Sequence, residues 1–331
     1  MPASILVCRR IFADVVARLR EHFEVESNDA DDVWSRAELI GRLQGKDGVF
    51  VTGTQAIDAA LVDACPQLRA VCSLAVGYNN IDVPACTARG VVVSNAPGVL
   101  TETTADFGFA LVMAAARRIS ESEAFLRRGE WKKWSVDLFA GSDVHGAVLG
   151  ILGMGRIGQA IARRGAHGFG MKVIYHNRSP LPAAEAESLV ARYVSRETLL
   201  RESDHLVIVV PYSAESHHLV GAAELALMKP TATLVNIARG GVVDDVALAA
   251  ALREGRIAAA GLDVFEGEPS VHPDLLACCN VVLTPHIASA SLPTRRAMAA
   301  LAAENLVCLL DPTAGRPAPT VLNPEALARR L

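Results

Sequence analysis

No run of about 18 uninterrupted apolar residues occurs in the 331-residue chain, so no membrane-spanning helix is expected. A large imbalance of charge is missing too. Lys and Arg number 32 against 36 Asp and Glu, a formal net charge of −4, which argues against nucleic acid or an anionic membrane captured by bulk charge. The seven cysteines (Cys8, Cys65, Cys72, Cys86, Cys278, Cys279 and Cys308) are odd in number and form no C-x-x-C pair. A disulfide framework or a structural zinc site is therefore not expected, and a reducing compartment fits. The opening MPASILVCRR lacks the cationic start and apolar run of a secretory leader, which leads to the expectation of a cytoplasmic location. His217-His218 has no Cys or acid at ligand spacing, so no metal is expected.

What is present is a globular chain. It is 51% hydrophobic and 21% charged, too apolar for disorder and long enough for two domains. Short, continuously apolar runs fall at 4–8, 48–51, 70–74, 91–94, 148–152, 172–176, 205–210, 232–237, 258–264 and 280–284. Such runs suit parallel strands covered on both faces. Helical stretches alternate with them, at 11–22, 36–44, 57–64, 157–169 and 244–254. The pattern is an α/β fold, and ten strands favour two doubly wound parallel-sheet domains.

Pro97-Gly98 breaks the rhythm before a helix starting near Thr101, and Thr284-Pro285 breaks it again before a helix at about 293–310. The expected organisation is one domain at 1–98 plus 287–331 and a second, inserted one at 99–286. The Pro-rich tail from Asp311 is expected to loop over the surface. Phe107, Phe109, Leu111, Val112 and Met113, with Trp131 and Trp134 further on, suggest that 101–134 buries a two-fold interface. Trp131 and Trp134 are three apart, which suggests one helical face.

Gly153-Met154-Gly155-Arg156-Ile157-Gly158 fits G-x-G-x-x-G, directly after a predicted strand and opening a predicted helix. In that setting the three glycines serve a tight turn, close approach to a pyrophosphate, and helix–strand packing. Arg156 and Ile157 lie in the same loop. The next strand ends at Asn177-Arg178-Ser179, and no acid occurs between Lys172 and Glu185. A carboxylate at that point would hold a ribose 2′-hydroxyl, whereas Arg178 with two polar neighbours suits a 2′-phosphate. NADP(H) is expected as the preferred cofactor, with NAD(H) as the weaker one.

Three further strand ends carry Arg239, a run of acids including Glu268, and His286. Hydride transfer to a 2-oxo acid needs a cation for the carboxylate, an acid for the carbonyl oxygen and a carboxylate to orient that acid. Arg239, His286 and Glu268 fit those three roles.

With these residues the chain resembles the D-isomer-specific 2-hydroxyacid dehydrogenase family from about residue 40 to 310. The resemblance rests on VGYNNID at 76–82, GMGRIG at 153–158, VNIARGGVVDD at 235–245, LDVFEGEP at 262–269 and TPHIAS at 284–289. Within it the chain is similar to the glyoxylate/hydroxypyruvate reductases, notably the bacterial branch that also reduces 2-ketogluconate.

The resemblance implies a Rossmann cofactor domain inserted in a flavodoxin-like substrate domain, and a homodimer held by an arm at about 101–145. It implies that the Val76 and Gly77 amides meet the substrate carboxylate, with Ser289 nearby. It also implies that Thr103, Pro211 and Ile237 line the cofactor site and that Asp263 meets the nicotinamide carboxamide region. Related reductases often carry Trp where Phe139 stands, and Ala288 replaces their commoner Gly. Two rival readings are a dinucleotide-sensing corepressor-like protein and a phosphoglycerate-type dehydrogenase. Against the first, long disordered flanks are absent. Against the second, no regulatory domain follows residue 310.

Overall fold

The computed structural model describes residues 2–330 and divides into two compact units, one comprising the chain up to Leu100 with Ser291 onward, the other Thr101–Ala290. The two end residues of the expected outer domain lie outside the described residues. The return crossing falls four residues later than the expected 286/287, because the backbone of Ile287 and Ala288 is hydrogen-bonded to Asp263 of the second unit.

The first unit is a five-stranded parallel sheet: β1 (Ser4–Val7), β2 (Glu24–Ser27), β3 (Gly48–Val51), β4 (Ala70–Ser73) and β5 (Val92–Ser94). Its order, β2-β1-β3-β4-β5, is that of the flavodoxin-like doubly wound fold. The strands β3, β4 and β5 are buried at every position, which explains their unbroken apolar runs. The edge strand β2, EVES, has one neighbour and no buried residue, so it lacks that signal and does not stand out in the sequence. The helix Leu292–Leu310, capped by the Ser291 side chain, rejoins this unit.

The Pro-rich stretch runs over the surface as expected, and the chain after it turns back onto the sheet. Val321 bridges Ser94 at the open edge of β5, and Leu322 N–H donates to Val93 O. Asn323 is completely buried, accepting from Val93 N–H at 2.7 Å and donating to Val91 O and Thr87 Oγ1. The tail thus covers an edge that would otherwise present unpaired backbone groups.

The second unit holds seven parallel strands: β6 (Val148–Leu152), β7 (Lys172–His176), β8 (Ala191–Tyr193), β9 (His205–Ile208), β10 (Thr233–Asn236), β11 (Ala259–Leu262) and β12 (Val281–Leu283). The order β12-β11-β10-β9-β6-β7-β8 makes β6 and β9 the strands at which the winding reverses, the Rossmann arrangement. β8, like β2, is a short edge strand with one neighbour and no buried residue, and it too escapes the apolar-run reading.

The helix expected at 157–169 runs Arg156–Arg163 and continues as one π-type turn, Arg164–Gly168. Phe109, Leu111 and Val112 lie on the helix Thr101–Ala116 and are buried in this unit's own core, so they are not interface residues. Trp131 and Trp134 are not on a helix at all. The second helix ends at Arg127, and both indoles stand exposed in irregular chain, because Gly129 in a left-handed conformation (φ +69°) turns the chain away.

Candidate active site

Each chemistry-bearing segment of the second unit follows the C-terminal end of a parallel strand, where open α/β sheets bind ligands. The glycine loop follows β6, Asn177–Ser179 follows β7, Pro211 comes three residues after β9, and Arg239, Asp263 and His286 follow β10, β11 and β12.

The glycine loop passes a direct test of fit to a dinucleotide. Gly153 has φ +104°, a conformation open to glycine. A Cβ on Gly158 would sit 2.3 Å from Gly153 O, so only glycine lets the helix start so close to the turn. A Cβ on Gly155 meets nothing within 4 Å. Gly155 and Arg156 are exposed at the N-terminus of the helix Arg156–Arg163, where N–H groups and the helix dipole favour an anion. Ile157 is half-buried beneath them. Asn177 ties this loop to the end of β7, its Oδ1 accepting from Met154 N–H at 2.6 Å. Arg178 and Ser179 beside it are exposed.

Arg239 sits at the end of a turn shaped by Asn236. The Asn236 side chain accepts from Ala238 N–H at 3.0 Å and donates to Arg239 O at 3.1 Å. Asn236 is a positioning residue whose only sequence signal is its place in the VNIARG motif. Gly240 presses on the neighbouring loop so closely that a Cβ would lie 1.7 Å from Phe265 O. The loop that carries Glu268 is therefore packed against the loop that carries Arg239. Burial pulls the Arg239 pKa down, and the charge of Glu268 opposes the shift. The cation is thus costly to keep charged where it stands, which an incoming carboxylate would relieve.

His286 Nδ1 and Glu268 Oε2 are 2.8 Å apart. The other Glu268 oxygen, Oε1, accepts from Phe265 N–H at 2.9 Å, which fixes the plane of the carboxylate. Burial pushes the Glu268 pKa up, but His286, the Phe265 N–H and the Arg239 charge outweigh it and hold the carboxyl below its ordinary range. His286 remains 46% exposed, so its Nε2 edge is reachable. The pair can therefore deliver a proton from Nε2 while Glu268 stabilises and aims the ring.

Of the other expected residues, Ser289 is half-buried three positions beyond His286, and Thr103 is half-buried in the first turn of Thr101–Ala116. Pro211 is exposed. Ile237 is 7% exposed and packs its tip toward Gly108. Val76 and Gly77 come just after β4 in the first unit, half-buried, with Val76 O accepting from Asn95 Nδ2 at 2.7 Å.

His217, His218 and Glu266 bring three ligand-type groups together, the one such cluster among the described residues. The two imidazoles stack at 3.9 Å with 21° between planes. His218 Nε2 bonds Glu266 Oε2 at 2.9 Å, and the backbone N–H of His218 donates to Gly241 O at 2.7 Å. The cluster braces the Arg239 and Glu268 loops.

Comparison with known proteins places the chain in a family. Residues 109–288 match the family model described as D-isomer specific 2-hydroxyacid dehydrogenase, NAD binding domain. The chain belongs to the D-isomer-specific 2-hydroxyacid dehydrogenase family. It is 47% identical to a glyoxylate reductase of Thermococcus onnurineus, over 99% of this chain and 98% of that protein. A Thermus thermophilus protein of known structure is 41% identical with a TM-score of 0.88, covering 96% of this chain and 99% of its own. The NADPH-dependent glyoxylate/hydroxypyruvate reductase of Sinorhizobium meliloti, solved with NADP and malonate, is 35% identical with a TM-score of 0.85, covering 98% of each chain. This family member is an NAD(P)-dependent oxidoreductase with a nicotinamide-dinucleotide-binding domain.

Proposed function

We propose that the enzyme reduces a small 2-oxo acid, glyoxylate or hydroxypyruvate, to the D-2-hydroxy acid, with NADPH preferred over NADH. The observation that carries this reading is the 2.8 Å His286–Glu268 pair in the unit that also presents the half-buried Arg239 and the glycine loop. The names of its relatives favour glyoxylate and hydroxypyruvate.

In this reading the second unit is the cofactor domain and the first the substrate domain. Arg239 grips the substrate carboxylate through a bidentate fork, with Ser289 near the substrate. His286 gives its Nε2 proton to the carbonyl oxygen, and Glu268 keeps the ring aimed and charged. Gly153, Gly155, Arg156, Ile157 and Gly158 would hold the dinucleotide, with Asn177, Arg178 and Ser179 at the adenosine end and Thr103, Pro211 and Ile237 along the rest. When bound, that cofactor supplies the hydride. Steady-state turnover of glyoxylate, hydroxypyruvate and 2-ketogluconate with each cofactor tests the reading, and no turnover of any of the three overturns it.

Arg178 sets the cofactor expectation. Each charge-assisted hydrogen bond to a 2′-phosphate contributes about 1.5–3 kcal/mol, so one or two give roughly 10–10³-fold in favour of NADPH. Arg178→Ala should raise KM for NADPH by at least about tenfold and leave NADH nearly unchanged. Equal kcat/KM for both cofactors before and after the change would show that Arg178 does not read the phosphate.

The enzyme is further proposed to be a homodimer in the cytoplasm. Between residues 119 and 138, Ile119, Leu126, Trp131, Trp134 and Val136 are each at least half exposed, an apolar concentration that a lone subunit rarely leaves in water. A second copy, related by a two-fold axis, would cover it. Light scattering at micromolar concentration should give twice the 35.0 kDa chain mass, and a clean monomer would refute the assembly. No helix among the described residues is long and apolar enough to cross a membrane.

A further inference from the structure

We propose that Tyr193 and Tyr175 are positioning residues for cofactor choice, their hydroxyls holding both ends of the loop that carries Arg178 and Ser179; this rests on the reading of Arg178 as the residue that meets a 2′-phosphate. The loop leaves β7 at His176 and ends at the helix Ala183–Ser188. At its start the Asn177 carbonyl accepts from the Tyr193 hydroxyl at 3.1 Å, while the Asn177 side chain accepts from Met154 N–H. At its far end Leu181 N–H donates to the Tyr175 hydroxyl at 2.9 Å. Arg178, Ser179 and Pro180 lie between these anchors, and all three are exposed.

The two tyrosines come from paired positions. Tyr175 on β7 and Tyr193 on β8 are opposite each other in the parallel register, and their rings meet edge to face at 5.5 Å with 66° between planes. His176 stacks on Tyr193 at 5.7 Å and 22°. Tyr175 is buried, whereas Tyr193 is 40% exposed on a strand that has no buried residue. Core packing therefore does not account for an aromatic side chain at the end of β8. Its ring covers Tyr175, and its hydroxyl reaches the Asn177 carbonyl. No residue from 177 to 182 is buried, so the loop has no apolar anchor of its own. Two hydrogen bonds and the fixed φ of Pro180 and Pro182 hold it instead. A loop held in this way loses less freedom when a long arginine side chain is immobilised on an anion. The gain falls on the cofactor that carries the 2′-phosphate and not on the one with a bare 2′-hydroxyl.

The test reads binding, not turnover. Calorimetric titration of the protein with NADP+ and with NAD+ gives a Kd for each. Tyr193→Phe keeps the ring and removes the hydroxyl. It should raise the Kd for NADP+ by about 3–10-fold, the equivalent of one neutral hydrogen bond. The Kd for NAD+ should change by less than about twofold, because that cofactor offers Arg178 no phosphate. In an Arg178→Ala background the same change should leave the NADP+ Kd where it is, since the residue being positioned is gone. Tyr175→Phe removes the acceptor at the other end of the loop. It should shift the two constants in the same unequal way, and it replaces Tyr193→Phe if that variant does not fold. Equal losses for both cofactors, no loss for NADP+, or a loss that persists in the Arg178→Ala background overturns the positioning role alone. An Arg178→Ala protein that binds NADP+ as tightly as the native one overturns the phosphate reading and this inference with it.

Discussion

Replacing His286 with Ala should lower kcat by about 10²–10⁴-fold, the span seen when a positioned proton donor is lost. The effect should fall on kcat and not on cofactor binding, because His286 lies beyond β12 while the glycine loop lies beyond β6, at opposite sides of β9, β10 and β11 in the sheet. Cofactor titration by fluorescence should therefore match the native protein, and turnover close to native would refute the assignment. Glu268→Gln tests the partner. Its carboxyl is held below the ordinary range, so it is ionised at neutral pH and favours the protonated ring 2.8 Å away. Gln keeps the hydrogen bond but removes that charge. The kcat should then fall while cofactor binding stays native, and an unchanged kcat would show that the Glu268 charge does not serve the proton transfer.

Much of the arrangement is legible in the chain itself, for an identifiable physical reason. A parallel strand covered on both faces must be apolar throughout, so β3 and β6 stand out at their observed bounds. The residues just after each such strand then lie by default at the ligand-binding edge of the sheet. Arg239, Glu268 and His286 can be picked out because reaction chemistry demands their types and the strand ends supply their places.

Features that depend on partners far along the chain do not show in the sequence. β2 and β8 are edge strands without a buried residue, so neither carries an apolar run. Asn323 covers the edge of β5 from 230 residues away. The hydrogen bonds of Asp263 with Thr284, Ile287 and Ala288 join residues 21–25 positions apart, and only the folded sheet makes them neighbours. Spacing misleads at Trp131 and Trp134, since a three-residue interval fits a helix face and an irregular turn equally well. Composition misleads at Phe109, Leu111 and Val112, because an apolar helix reads the same whether it faces its own core or a second subunit.

Arg239→Ala should raise KM for the 2-oxo acid by roughly 10²–10³-fold, the equivalent of two charge-assisted hydrogen bonds discounted for water that enters in their place. Burial is what makes the expected loss large. The guanidinium is held where desolvation already lowers its pKa, so few water molecules compete for the carboxylate and the interaction is weakly screened. The Asn236 side chain and the contact of Gly240 with Phe265 fix the turn from which the guanidinium extends, so its orientation is also supplied in advance. Arg239→Lys restores the charge but not the fork. It should recover only part of the loss, because a point charge on a flexible stem cannot hold two oxygens in one plane. A small aldehyde without a carboxylate separates this role from a general structural one. Its turnover is poor from the start, and Arg239→Ala should leave it unchanged while the 2-oxo acid loses its advantage. If both substrates lost turnover equally, Arg239 would be holding the loop and not the carboxylate.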